Sequence, residues 1–229
     1  MSSWTEMPLA ALDFETTSAD PLTARIVTAC LLRVVGRDVQ VRNWIADPGV
    51  PIPQEATAIH GYTDEYVAKH GKPHDQVVAE VSAEVRAVFD EERALCIYNA
   101  GFDATLLAAH DQTFIPSGLI VDPFVLDKHY DRWRKGSRKL SAVMIHYGMR
   151  LDDAHDAQSD AHAAARLAWK LPRVYPALAD YTPGELMAAQ ADWYREQAYS
   201  FIDYLRRHDK PFTDVQTSWP LYTPKAHAA

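Results

Sequence analysis

The sequence predicts an α/β protein with a mixed five-stranded sheet flanked by helices and a helical extension at its C-terminal side. Three observations predict it. Three β-branched, apolar segments follow one another closely (LAALDFETTS, ARIVTACLLRVVG and DVQVRNWIAD), the spacing of an antiparallel meander. Two short apolar runs, ALCIYN and SGLIVD, each lead directly into a helical pattern, which marks parallel crossover units. After Pro172 the chain changes character, from a proline-punctuated connector to one long amphipathic stretch.

In order, the apolar run of the first strand ends on Asp13 and Glu15 and breaks into hydroxyls. TSADPLTA carries turn signals before the second strand, and Gly36 to Asp38 turn the chain into the third. PGVPIPQEATAIHGYTDEYVAKHGKPH reads as a long loop with one short helical turn, because its prolines and glycines forbid a continuous helix. From Asp75 to Phe89, Val77, Val78, Val81, Val85, Val88 and Phe89 recur at helical spacing. The strand ALCIYN precedes a helix beginning near Gly101, and SGLIVDPFVLDKHY repeats the pattern. LSAVMIHYGM reads as a short helix ending near Gly148, and Gln158 to Leu171 as an alanine-rich helix terminated by Pro172. In the long C-terminal helix, Leu186, Trp193, Gln197, Phe201, Tyr204 and Leu205 approximate one face, which packs on the main domain or on a partner. The expected division is residues 1–172 and 173–229, with the tail SWPLYTPKAHAA extended.

The chain has 229 residues, nearly half of them apolar and about a quarter charged, as expected of a soluble globular protein. No apolar run has the length of a membrane span and MSSWTEMP lacks the features of a signal peptide, so a cytoplasmic location without membrane partners is expected. Cys30 and Cys96 sit inside apolar runs and read as buried free thiols. A net charge of −8 argues against coating nucleic acid by electrostatics alone. Within this acidic chain, DRWRKGSRK gathers Arg132, Arg134, Lys135 and Arg138 around Trp133, either as a solvated loop or as contacts to backbone phosphates.

The acids carry the chemistry. In a strand, Asp13 and Glu15 project from the same face, and two carboxylates at about 4 Å repel by roughly 4 kcal/mol at an effective dielectric near 20. A proton, a basic side chain or a divalent cation would offset that, unless both simply face water. Asp103 follows the strand ALCIY on the first turn of a helix, where negative charge is favoured. His155 and Asp160 would diverge by about 140° on one helix. They serve one site only if His155 precedes the helix, and the helix-starting residues Asp152, Asp153 and Asp156 favour that boundary.

Taken together, Asp13-Phe14-Glu15-Thr16-Thr17, Asn99-Ala100-Gly101-Phe102-Asp103 and His155-x-Ala157-x-x-Asp160, with Glu55 and Ile59-His60-Gly61-Tyr62-Thr63 between them, resemble the motifs of the DEDDh branch of the DEDD, or DnaQ-like, exonucleases. The resemblance covers roughly residues 8–172, with Ser18 where many members have Gly and Tyr62 where an aliphatic residue is usual. It implies an RNase H-like fold of three antiparallel and two parallel strands. It further implies two Mg²⁺ or Mn²⁺ ions held by Asp13, Glu15, Asp103 and Asp160, His155 as general base, and hydrolysis from the 3′ end of single-stranded DNA or RNA. Thr16, Thr17, Glu55, His60, Asn99 and Phe102 match positions near the terminal nucleotide, although capping by Asn99 and core packing by Phe102 are equally open. Arg132, Arg134, Lys135 and Arg138 are the residues placed on upstream phosphates. A DNA polymerase is a further expected partner. The competing expectation is a non-catalytic scaffold of the same fold that docks through its C-terminal helix.

Overall fold

A computed structural model describes residues 2–150 and 155–223. Strands β1 (Leu9–Thr16), β2 (Ile26–Val35) and β3 (Asp38–Asp47) form the expected antiparallel meander, turned at Gly36, whose φ of 63° suits glycine. Helices α1 (Gln54–His60) and α2 (Asp64–His70) follow, then β4 (Lys72–Pro73), α3 (His74–Asp90), β5 (Ala94–Cys96), α4 (Ala100–His110), β6 (Ile120–Val121) and α5 (Pro123–Tyr130). Helices α6 (Leu140–His146), α7 (Ala157–Val174) and α8 (Pro183–Arg207) complete the chain. The sheet order is β4-β3-β2-β1-β5-β6, with β5 parallel to β1 and β6 parallel to β5.

Three details differ from expectation. The sheet has six strands, because Lys72 and Pro73 pair in parallel with Ala46 and Asp47 at the edge of β3. Proline lacks an N–H for a ladder, so such a pair forms only at an edge and leaves no strand pattern. The long loop contains two helices rather than one turn: Gly61 stops α1 in the left-handed region, and the Thr63 side chain accepts from the Tyr66 N–H to start α2. Both helices cover the small cluster of Val27, Ile52, Ala56 and Val67. Finally, α7 runs through Pro172 to Val174, since a proline so near the end forfeits one carbonyl partner while Leu171 and Pro172 remain buried.

The main core lies between the sheet and its helices. Helix α7 packs on β1 and β2, and Ala161, Ala163, Ala164, Ala165 and Ala168 along it are all buried. Small side chains let a helix lie close to its neighbour. That closeness brings residue 160 within reach of the end of β1.

Helix α8 begins with a capping box, Thr182 and Glu185 satisfying each other's backbone N–H, and packs on α5. Its expected stripe divides. Leu186 and Trp193 are buried, together with Gln190 and Ala198, whereas Phe201 and Tyr204 remain 49% and 43% exposed. Among the described residues no helix is long and apolar enough to cross a membrane. The tail lacks helix or strand through Thr223; the expectation of an extended tail beyond that residue lies outside the described residues.

Candidate active site

The end of β1 delivers the first two acids. Asp13 pairs across the ladder with Cys30 and Glu15 with Thr28, so both carboxylates share the sheet face that α7 covers, and a register shift between Glu15 and Thr16 marks where the strand leaves the sheet. Asp103 stands in the first turn of α4, just past the parallel strand β5. On α7, the Asp156 side chain accepts from the Ser159 N–H to begin the helix, and Asp160 occupies its first turn. His155 lies in the turn ahead of that helix with a φ of 67°, so it and Asp160 are not confined to diverging helical directions. Asp152 and Asp153 lie outside the described residues.

The four carboxylates perturb one another. Burial pushes Asp13 well above the usual carboxylate range, and Asp103, Asp160 and Glu15 push it further. Glu15 is raised to about 7, by burial first and then by Asp160 and Asp156. Asp160 is raised to about 6 by burial, with His155 opposing the shift. Asp103 is raised by burial against the pull of the backbone N–H groups of Asp103 and Phe14. Burial, with Asp13 and Asp156, drives the Cys30 thiol up to about 12.

These residues fit a divalent cation. Ligand atoms of Glu15, His155 and Asp160 lie within 4.8 Å of one another. Asp160 Oδ1 is buried without a hydrogen-bond partner. Hard carboxylate oxygens, mutually repelling and one of them unsatisfied, are the donor set that Mg²⁺ or Mn²⁺ accepts.

A cleft of about 520 Å³ opens beside Asp13 and Asp103 and is lined by Phe14, Asn99, Phe102, Phe124 and Lys139. Phe102 is thus at the cleft wall as well as against the core. Asn99 sits in the left-handed region at φ 62° and its side chain makes no capping bond. Thr16 Oγ1 donates to the Ser18 carbonyl, and Thr17 Oγ1 accepts from the Arg25 N–H, so Thr17 closes the β1–β2 connection. His60 is buried, its Nδ1 accepting from the Tyr62 N–H and its Nε2 unpartnered, and burial holds its pKa down. Glu55 is exposed in the first turn of α1.

The basic cluster divides. Arg134 Nη2 and Arg138 Nη1 both donate to Oδ2 of the buried Asp127 at 2.6 Å, and Arg134 Nε donates to Asp131. These guanidinium groups are committed to building the loop and are not free for phosphate in this arrangement. Arg132, Lys135 and Lys139 remain exposed.

One residue escaped sequence reasoning. Asp122 is fully buried, and its carboxylate accepts from the N–H groups of Asn99, Ala100 and Phe124 and from the Trp219 indole. Its own N–H donates to Gln190 Oε1, while Gln190 Nε2 donates to the Ile120 carbonyl. Asp122 therefore ties the start of α4, where Asp103 sits, to α8 and the tail. Tyr222 completes the tie: its N–H donates to Thr105 Oγ1, and a Cβ at Gly101 would stand 2.2 Å from its ring. The signal available was local, an acid before Pro123, which reads as a cap of α5 alone.

Comparison with known proteins places this geometry in a family. An exonuclease family model, RNase T, matches residues 10–168. The chain belongs to the RNase T exonuclease family. It is 36% identical over 104 residues to the uncharacterized exonuclease CP81 of Escherichia phage 186, covering 45% of this chain and 49% of that one. It is 26% identical over 167 residues to the PolC-type DNA polymerase III of Streptococcus mutans, covering 71% of this chain and 11% of the polymerase. The chain thus spans about half, or far less, of the curated relatives it matches. Escherichia coli exonuclease I, solved with a dT13 oligonucleotide, shares the fold at a TM-score of 0.60 and 19% identity, over 77% of this chain and 43% of that chain.

Proposed function

We propose that this chain is a metal-dependent 3′-to-5′ exonuclease that releases nucleoside 5′-monophosphates from single-stranded ends. The convergence of Asp13, Glu15, Asp103 and Asp160, with an unsatisfied buried oxygen on Asp160, carries the reading. A scaffold without catalysis would keep this mutual repulsion to no purpose.

The four carboxylates would hold two Mg²⁺ or Mn²⁺ ions, which when bound supply Lewis acidity at the scissile phosphate. His155, exposed on its turn, accepts at a ring nitrogen the proton of the water that attacks the terminal phosphorus, and as the P–O3′ bond breaks the O3′ leaves as a hydroxyl, taking a proton from solvent. Asn99 and Phe102, on the cleft wall, hold the terminal nucleotide, with Thr16, Thr17, His60 and Glu55 around it. Arg132, Lys135 and Lys139 are the cations placed on the backbone. Residues 1–172 form the catalytic unit in this reading and residues 173–229 its extension. The likeness to PolC supports a polymerase as a partner, and the exonuclease I complex supports DNA as the first substrate to try.

The test is incubation of purified protein with 5′-labelled single strands of matched DNA and RNA sequence. A ladder of shortened products that needs Mg²⁺ or Mn²⁺ is expected, and His155→Ala should slow it about 10²–10⁴-fold. Intact strands of both kinds, or an unaffected His155→Ala variant, would refute the assignment.

A further inference from the structure

A second cleft, of about 620 Å³, lies between the basic loop and the outer half of α8. Its walls differ in chemistry. Lys128 and Arg132 stand on one side, beside Arg134 and Arg138, whose charges are met by Asp127 and Asp131, and Phe201 and Tyr204 on the other; His129, stacked on the buried Trp193 at 4.0 Å, also lines the cleft, and Glu196 is the single carboxylate among the lining residues. In a chain of net charge −8, Lys128 and Arg132 here face the one carboxylate of Glu196. Phe201 and Tyr204 are 49% and 43% exposed, with rings 10° from parallel and centroids 6.3 Å apart.

The cleft adjoins the acidic one. Arg138 lines both, and Lys128 Nζ sits 4.7 Å over the ring of Phe124, which lines the acidic cleft. Cations along one wall and exposed aromatic faces along the other match the two repeating features of a single strand, its phosphates and its bases. An apolar protein segment would match the aromatic wall alone and strip water from Lys128 and Arg132 without pairing them.

We propose that this cleft holds the nucleotides upstream of the 3′ terminus, phosphates against Lys128 and Arg132 and bases stacked on Phe201 and Tyr204. The upstream direction rests on the exonuclease reading; the binding of a single strand does not. Helix α8 is then part of the substrate track.

Binding of fluorescein-labelled 12-residue oligothymidylate and oligouridylate, measured by anisotropy in EDTA, tests this beside cleavage of a dinucleotide in Mn²⁺. The double variant Phe201→Ala/Tyr204→Ala, whose lost side chains are exposed, should bind at least one of the 12-mers about tenfold or more weakly. Arg132→Ala should flatten the salt dependence by about one phosphate contact. Dinucleotide cleavage should match wild type in the double variant. Unchanged 12-mer affinity in the double variant, or no 12-mer binding by wild type, overturns the proposal and leaves the aromatic face to a protein partner. Equal loss of 12-mer binding and dinucleotide cleavage overturns it too, because that would mean a distorted acidic cleft. If wild type cleaves no strand while 12-mer affinity still falls in the double variant, the cleft stands and the exonuclease reading fails.

Discussion

Glu15 concentrates the electrostatic problem in one side chain. It is buried, with a pKa raised to about 7 by burial and by the charges of Asp160 and Asp156. A carboxyl whose pKa is higher folded than unfolded holds an extra proton in the native state between the two values. Its stabilising contribution is complete below the unfolded pKa of about 4.3 and is lost as pH rises through the folded one. Without metal, Glu15→Gln should therefore be more thermally stable than wild type by a margin that grows from pH of about 4.3 to about 7. The gain should reach several degrees, at roughly 2–4 °C per kcal/mol for a chain of this size. Thermal melts across that range in EDTA measure the margin. A constant or shrinking margin would mean that Glu15 does not carry this repulsion. The pair Asp13 and Glu15 was legible because a strand repeats every two residues, and His155 with Asp160 because a helix cannot bring positions five apart together. That Arg134 and Arg138 pair with Asp127 was not legible, because composition reports charge and not its partner, and Asp127 looks like any acid of an amphipathic helix.

At the scale of elements, α8 and the tail are bound into the site through Asp122. Gln190 spans two unpaired backbone groups, the Asp122 N–H and the Ile120 carbonyl, both deep in the molecule. Gln190→Leu keeps the volume and leaves both groups without partners, at about 1–3 kcal/mol each. The expected result is a melting temperature lower by several degrees, together with weakened activity because the start of α4 carries Asp103. Melts and cleavage rates read the two effects. A variant as stable and as active as wild type would show that the tie is dispensable. No sequence pattern reveals such a contact, since Asp122 and Gln190 are 68 residues apart and each is locally unremarkable. The two-residue strand β4 and the helices α1 and α2 were hidden for a different reason. Proline and glycine mark where regular structure stops, but not the short pieces that fit between the stops.

For the whole molecule, the meander-then-crossover order was readable from strand spacing alone, and the sheet order places the ends of β1 and β5 side by side, with α7 laid over β1. That arrangement makes three distant motifs into one cluster: Asp13 and Glu15 from a strand, Asp103 from α4 and Asp160 from α7. The chain pays for the cluster in stability when no cation is present, and a bound cation would relieve that cost. The most direct measurement is calorimetric titration of Mn²⁺ into metal-free wild type and into Asp13→Asn and Asp160→Asn. Wild type should bind Mn²⁺ saturably and melt at a higher temperature in the bound form, and each variant should lose or markedly weaken both. No binding to wild type, or binding that survives both substitutions, would contradict it.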